Sequence, residues 1–465
     1  MCSFLISSIN FSKLNLANIN RLLQLRGPDL TNINCIQNLY FLHNLLNITG
    51  DIVQQPFVNT DKSIVVIYNG EIYNYKTFEY EFNLTFKSDG ECLLPLYQKY
   101  GEKVFHMIDG EYALIIFDFN IGKFFMSTDT FATKPLFYSI ENGQFAISSY
   151  PTPLKLMGFQ NQEKMPANLV LTFSINTLEP INLKQVYNFN LNQYKDNYDD
   201  WCDTFERAVL KRYSEKYPVY ICLSSGYDSG AIACALNRHN KKFYSYTITD
   251  CEKIDTLEKR LYRIKDNCVS KLLSFDRPTY KKHYDRLLSN AENYKLQFST
   301  NDNSILHYSV YEDPASTGLN YICELSKLEH NCRVYISGSG CDEIMSDYSV
   351  QGRSLSKTSY FNGIFPKNLN DIFPKYSFDI DAKWKSFYRQ TQEVYLMKEE
   401  MVAGANGIEG RYPFLDRECV QEFLLLKPEL KNQFYKSAVH YYMTKYNFPF
   451  DVNLKLGFNA RKNIE

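Results

Sequence analysis

The 12 cysteines include no C-x-x-C pair, and the 7 histidines never fall at H-x-x-x-H spacing. This excludes the usual ligand spacings of a structural zinc and argues against a disulfide framework. No run approaches the roughly 18 apolar residues of a membrane span, and the N-terminal stretch lacks a basic segment followed by an apolar one. An excess of charge of either sign is also lacking. Lys plus Arg number 51 against 52 Asp plus Glu, a net charge of −1, which leaves no footprint for nucleic acid or an anionic membrane. There is no internal repeat and no low-complexity tract. These absences predict a soluble, cytoplasmic protein with neither nucleic-acid nor membrane partners. Cys35, Cys92, Cys222, Cys234 and Cys323 sit among apolar neighbours and read as small buried hydrophobes.

At 465 residues the chain exceeds what one core usually organises, so two domains are expected. Up to residue 185 the pattern is short strands with turn signals: Ser63–Tyr68, Tyr112–Phe119, Lys123–Ser127, Pro135–Ser139 and Gln144–Ser148. Helical patterns flank them near Asn74–Phe82 and Glu91–Tyr100. Strands in packed layers with flanking helices suit an αββα sandwich. Residues 186–200 are polar and aperiodic and read as a linker. Beyond it helix and strand alternate: a helix Asp199–Tyr213, a strand Val219–Leu223, a helix to about Arg238, a strand Phe243–Ile248 and a later strand Cys332–Ile336. This βαβ pattern predicts a parallel sheet with ligands at the carboxyl ends of its strands.

The position of Cys2 has chemical meaning. Removal of Met1 would leave a thiol beside a free α-amino group, a nucleophile and a base in one residue, since an N-terminal amine titrates near ~7.7–8.0 and can take the thiol proton directly or through water. Three further segments follow in order: Arg-Gly-Pro-Asp at Arg26–Asp29, Tyr-Asn-Gly-Glu-Ile-Tyr-Asn at Tyr68–Asn74 and Ser-Asp-Gly-Glu at Ser88–Glu91. With Cys2 they resemble the glutaminase domain of class II glutamine amidotransferases, an Ntn-hydrolase-like fold. The resemblance implies a glutamine site containing Arg26, Gly27, Pro28, Asp29, Asn69, Gly70, Glu71 and Asp89. In it Arg26 takes the glutamine carboxylate, Asp89 its ammonium, and Asn69 with Gly70 the oxyanion. Asp109–Ala113 and Thr128–Tyr138 extend the likeness to the amidotransferase domain of asparagine synthetases. Ser3 stands where that family usually has Gly.

Ser-Ser-Gly-Tyr-Asp-Ser-Gly at Ser224–Gly230 joins a strand to a helix. Small hydroxyl and Gly residues at a helix N-terminus make an anion cradle, and Asp228 is placed to hold Mg²⁺ on bound phosphates. The loop resembles the pyrophosphate loop of adenylating PP-loop ATPases, with Ser225 in place of the first Gly and Gly230 in place of a Ser. No Walker A lysine is present, which fits cleavage between the α- and β-phosphates. Ser-Gly-Ser-Gly-Cys-Asp-Glu at Ser337–Glu343 resembles a second asparagine synthetase segment, as do Gly407–Asp416 and Lys455–Phe458.

The resemblance to glutamine-hydrolysing asparagine synthetases thus spans both halves, with amidotransferase residues 2–185 and an adenylating domain at 201–465. It implies ATP binding by Leu223, Ser224, Ser225, Gly226, Asp228, Ser229, Ile248, Ser337 and Gly338, Mg²⁺ on Asp228 and Asp342, and Lys455 meeting the pyrophosphate. The implied substrates are glutamine, aspartate and ATP, with homodimerisation permitted. Ser339 replaces an acidic residue tied in the family to forming the acyl-adenylate and orienting the acceptor, so another carboxylate acceptor stays open. A glutaminase without ATP chemistry and a non-enzymatic relative are the other readings.

Overall fold

The computed structural model describes residues 2–452, so Lys455 and its segment lie outside the described residues. The chain divides into two compact units, one running to Asn188 and including Gly404–Gly407, the other comprising Phe189–Ala403 and the residues from Ile408 onward.

In the first unit β1 (Ser3–Ser7), α1 (Leu16–Arg26), β2 (Leu30–Ile36), β3 (Leu39–Leu45), β4 (Phe57–Val58), β5 (Ile64–Ile72), α2 (Tyr75–Phe82), α3 (Leu93–Tyr100) and α4 (Val104–Met107) precede β6 (Gly110–Asp118) and β7 (Lys123–Thr128). They are followed by β8 (Phe137–Glu141), β9 (Gln144–Ser148), α5 (Pro151–Leu156), β10 (Glu163–Lys164), β11 (Leu169–Ser174) and β12 (Pro180–Gln185). The strands form two six-stranded sheets, ordered β10-β8-β9-β1-β3-β2 and β12-β11-β7-β6-β5-β4, and all their pairings are antiparallel. The sheets meet through aromatic contacts such as Phe41 on Phe117, edge to face with ring centroids 5.8 Å apart. Helices α1 and α5 lie on the first sheet, and the second sheet buries its other face against α2, α3 and α4. This is the αββα sandwich expected from the sequence. Its central strands β5 and β6 are covered on both faces, which explains why they read as near-continuous apolar runs rather than as alternating ones.

The second sequence likeness in this unit is architectural. Asp129 accepts backbone N–H bonds from Tyr112, Phe131 and Thr133 at 2.9–3.0 Å and the Thr133 hydroxyl at 2.6 Å. Burial nonetheless pushes its carboxyl up to about 6. Nearby, Lys134 pairs with Glu111 at 3.4 Å, both buried.

The second unit opens with α6 (Asp199–Lys211), β13 (Val219–Cys222), α7 (Tyr227–Arg238), β14 (Phe243–Ile248), α8 (Ile254–Ile264), β15 (Cys268–Leu273) and α9 (Arg277–Asn290). A hairpin of β16 (Lys295–Ser299) and β17 (Ile305–Ser309), then α10 (Pro314–His330), β18 (Val334–Ile336), α11 (Cys341–Met345) and a small ribbon of β19 (Ser349–Val350) with β20 (Arg353–Ser354) follow. The remainder is α12 (Thr391–Gly404), β21 (Glu409–Arg411), α13 (Arg417–Leu425), α14 (Pro428–Lys431) and α15 (Ser437–Lys445). The sheet order is β15-β14-β13-β18-β21, and every pairing in it is parallel, as the βαβ pattern predicts. Among the described residues no helix is long and apolar enough to cross a membrane.

Three local expectations are refined. The strand expected at Ser63–Tyr68 continues to Ile72, which puts Asn69 and Gly70 in register with Ala113 and Tyr112. Cys35 is exposed, because β2 is an edge strand whose residues alternate outward and inward. The stretch expected as a linker is partly tied down, since the Tyr194 and Lys195 amides both donate to the Leu425 carbonyl at 2.9 Å.

Asp416 ends the Gly407–Asp416 segment and caps α13, its Oδ1 accepting from the amides of Glu418 and Cys419. Its Oδ2 pairs with Arg212 at 2.8 Å and Lys211 at 2.5 Å. Burial opposes ionisation, but these two cations hold the carboxyl well below the usual range. Asp416→Ala would leave Arg212, itself 3% exposed, without its carboxylate. We expect this to cost about 3–5 kcal/mol, read as a lower midpoint for the second unit in denaturant unfolding.

Candidate functional site

In the first unit the residues gather around Cys2, which is 6% exposed at the start of β1. Its backbone is clamped from both sides. The Cys2 nitrogen donates to Asn69 Oδ1 at 3.0 Å, and Arg26 Nε donates to the Cys2 carbonyl at 3.0 Å. Asn69 spends its oxygen on the Cys2 nitrogen, and its buried Nδ2 has no hydrogen-bond partner among the described residues. A buried donor without a partner costs free energy, and one beside a nucleophile is suited to an anion that forms there. Gly70 follows it with φ +145°, and a Cβ at this position would lie 2.0 Å from the Glu111 carbonyl oxygen. Only glycine lets β5 close on β6 there.

Asp89 is buried, and its Oδ2 accepts from the Tyr68 hydroxyl and the Ile72 amide, both at 2.8 Å. Arg26, the last residue of α1, is fully buried beside Tyr150. Its Nη1 donates to the Tyr150 hydroxyl at 3.4 Å while Nε holds Cys2. Pro28 and Asp29 are exposed in the turn from α1 to β2, where Asp29 Oδ2 accepts the Asn47 amide at 2.8 Å. Gly27 is pressed against the Asn44 carbonyl, 2.2 Å from where its Cβ would stand. Glu71 is buried and accepts the Thr49 hydroxyl. The structure therefore brings together Cys2, Asn69, Gly70 and Arg26, and makes Gly27, Pro28 and Asp29 a turn. Ser3, fully buried, donates from Oγ to the Leu23 carbonyl at 2.7 Å, fixing α1 against β1.

In the second unit the loops after β13 and β18 open on one cavity of about 320 Å³, at the low end of the range of about 300–1,000 Å³ for small-ligand sites. Ser224, Gly226, Asp228, Ser229, Ser337 and Gly338 line it, six of the residues assigned to ATP binding. Leu223 and Ile248 are buried at the ends of their strands. Gly338 allows the two loops to touch, since a Cβ there would meet the Asp228 Cβ at 2.7 Å. Ser225 departs from the usual glycine, and its N–H and O–H both donate to Glu252 Oε2 at 2.5 Å.

Gly230, the other departure, has a structural cause. Arg260 runs beneath the loop, donating from Nη1 to the Gly226 carbonyl at 2.8 Å and from Nε to the Pro449 carbonyl at 2.8 Å. Its guanidinium carbon would lie 2.6 Å from a Cβ at Gly230. Burial lowers the Arg260 pKa to about 10. Gly230→Ser would have to displace this cation, and we expect it to cost about 1–3 kcal/mol and to weaken ATP binding in a titration.

Asp228 and Asp342 converge as the sequence implies, but on a residue that sequence reasoning missed. Lys436 Nζ stands 2.6 Å from Asp228 Oδ1 and 3.1 Å from Asp342 Oδ2. Its side chain is 2% exposed. Burial alone would lower its pKa, but the two carboxylates hold it well above the ordinary lysine value. Tyr435 adds a hydroxyl to Asp342 Oδ1 at 2.7 Å. Lys436 is the N-cap of α15, in the left-handed region at φ +50°. A cation at a helix N-terminus opposes the dipole, and that anomaly was the available signal. Mg²⁺ is usually held by one or two carboxylates together with substrate phosphates, and both aspartates line the cavity with Lys436 engaging one oxygen of each. Asp228 and Asp342 would hold it, and it would supply charge neutralisation on the phosphates.

Farther along the cavity Ser339 Oγ donates to Glu399 Oε1 at 2.7 Å, and Lys398 pairs with Asp313 at 3.3 Å. Neither Glu399 nor Lys398 was singled out from the sequence.

Comparison with known proteins finds two domains in the chain. The glutamine amidotransferase domain family matches residues 1–199, and the asparagine synthase family matches residues 200–395. A glutamine-hydrolysing asparagine synthetase of Arabidopsis thaliana is 25% identical over 437 residues, covering 89% of this chain and 68% of that protein. The Homo sapiens enzyme is 26% identical over 451 residues, covering 87% and 73%, and one from Bacillus subtilis is 24% identical over 491 residues, covering 85% and 62%. With both domains present in order and similarity over most of its length, the chain belongs to the glutamine-hydrolysing asparagine synthetase family.

Proposed function

We propose that the chain transfers the amide nitrogen of glutamine to aspartate at the expense of ATP, giving asparagine, glutamate, AMP and pyrophosphate. The observation that carries this reading is the coexistence of two built sites: a clamped Cys2 beside Asn69 Nδ2, which has no partner among the described residues, and a cavity lined by both sheet loops, whose Asp228 and Asp342 are bridged by the buried Lys436.

In the first site, with Met1 removed, the Cys2 thiol passes its proton to the α-amino group and the thiolate attacks the glutamine side-chain carbonyl carbon. Asn69 Nδ2 and the Gly70 N–H meet the oxyanion. The C–N bond breaks with proton return to nitrogen, ammonia leaves, and water then cleaves the thioester to glutamate and free Cys2. Asp89 takes the glutamine ammonium, and Arg26 acts as a positioning residue for Cys2. In the second site the acceptor carboxylate attacks the α-phosphorus of ATP and pyrophosphate departs. Ammonia then displaces AMP from the acyl-adenylate to form the amide. The backbone N–H groups at the start of α7 face the phosphates, and Lys436 is the buried cation available as charge builds on the leaving pyrophosphate. Lys455 is retained as a second cation for the same charge.

The test is a mass-resolved assay with ATP, Mg²⁺, aspartate and glutamine bearing heavy nitrogen in its amide. Labelled asparagine matched by AMP supports the proposal. Glutamate without asparagine or AMP rejects aspartate and turns the search to other carboxylates, a reading that Ser339 favours.

A further inference from the structure

The acids facing the synthetase cavity are almost all satisfied. Asp228 and Asp342 share Lys436, Asp313 has Lys398, and Glu343 accepts the Gly340 amide at 3.2 Å and the Tyr348 hydroxyl. Glu399 is the exception. It lies on α12, is 8% exposed and lines the cavity. Its Oε1 is held by Ser339, while Oε2 is buried and has no hydrogen-bond partner among the described residues. Burying a carboxylate oxygen without a partner is costly unless a ligand supplies one. The burial raises the Glu399 pKa, against the pull of the Ser337 and Ser339 hydroxyls and of Lys398.

Ser339 is also the position where the family resemblance leads one to expect an acid. A carboxylate nevertheless reaches this point of the cavity, from α12, and is held there by Ser339. We propose that Glu399, oriented by Ser339, is the specificity-determining group that binds the ammonium of an amino-acid acceptor in the synthetase cavity. This rests on the reading of the second unit as an amide-forming synthetase. A carboxylate held on one oxygen and unpartnered on the other can accept two N–H bonds from an ammonium. Acceptors that lack the amino group should leave Oε2 unpaired and be disfavoured.

The experiment uses the full chain with ATP, Mg²⁺ and an ammonium salt as nitrogen source, following pyrophosphate release with L-aspartate as acceptor and succinate as competing dicarboxylate. Glu399→Gln keeps the size and the Ser339 bond but removes the charge. The expected result is a KM for aspartate raised about tenfold or more, with the KM for ATP and the inhibition by succinate unchanged. Ser339→Ala, which only frees the carboxylate, should shift the aspartate KM in the same direction by less, and it decides the matter should Glu399→Gln fail to fold. An unchanged aspartate KM in both variants would overturn the assignment, as would equal losses toward aspartate, succinate and ATP. Wild-type protein that releases no pyrophosphate with aspartate rejects the synthetase reading itself, whatever the variants do.

Discussion

Cys2→Ala should abolish release of glutamate from glutamine while pyrophosphate release driven by ammonium salt continues. The thiol is the nucleophile of the proposed acyl intermediate, and losing such a nucleophile costs on the order of 10⁶-fold in comparable covalent enzymes. Asn69 and the rest of β5 do not depend on the thiol for their positions. The Cys2 backbone, which an alanine retains, makes the bonds to Asn69 Oδ1 and Arg26 Nε. The substitution therefore removes chemistry and leaves the fold. The checks are glutamate by mass spectrometry and pyrophosphate by coupled assay in one preparation. Loss of both activities at once would show that Cys2 is structural, and persistence of glutamate release would remove it from the mechanism.

Lys436→Met carries the second large effect, in the other unit. The methionine fills nearly the same volume but leaves Asp228 and Asp342 facing each other without the ammonium that stands 2.6 and 3.1 Å from them. Two consequences follow from one loss. Both carboxylates, 25% and 15% exposed, repel one another, and the buried cation that would meet the departing pyrophosphate is gone. Removing one preorganised group of this kind costs about 10²–10³ in kcat, so ammonium-dependent pyrophosphate release should fall by about that factor while glutamate release from glutamine stays at the wild-type rate. Lys436→Arg is expected to recover part of the activity, because a guanidinium keeps the charge but not the compact geometry of an ammonium. Wild-type pyrophosphate release in Lys436→Met would leave Lys436 a purely structural counter-ion.

The two variants are complementary, and comparing their losses tests whether two separable chemistries reside in one chain. Asp416→Ala and Gly230→Ser, by contrast, should act through stability and loop geometry.

Much of this molecule was legible in its residues. The apolar runs of β5 and β6, the βαβ pattern and the two Gly- and Ser-rich loops after strands depend on local chemistry, namely periodicity, turn propensity and helix-entry preference, so the architecture of both units, and the segments proposed for their sites, could be read without coordinates. Cys2, Asn69 and Gly70 stand out by residue type as a nucleophile, a side-chain amide and a glycine that permits close approach, and the structure places them side by side. What the sequence could not decide were partners distant along the chain. Arg26 turns inward to the Cys2 carbonyl, Arg260 fills the space that makes residue 230 a glycine, and Lys436 reaches two aspartates, one of them 208 positions away. Glu399 meets Ser339 across 60 positions. A charged side chain shows in sequence as a charge only. Which opposite charge it meets, and whether one of its oxygens is left bare, is settled by how helices and loops pack around the cavity, and that is where the tertiary structure decided what the residue types alone left open.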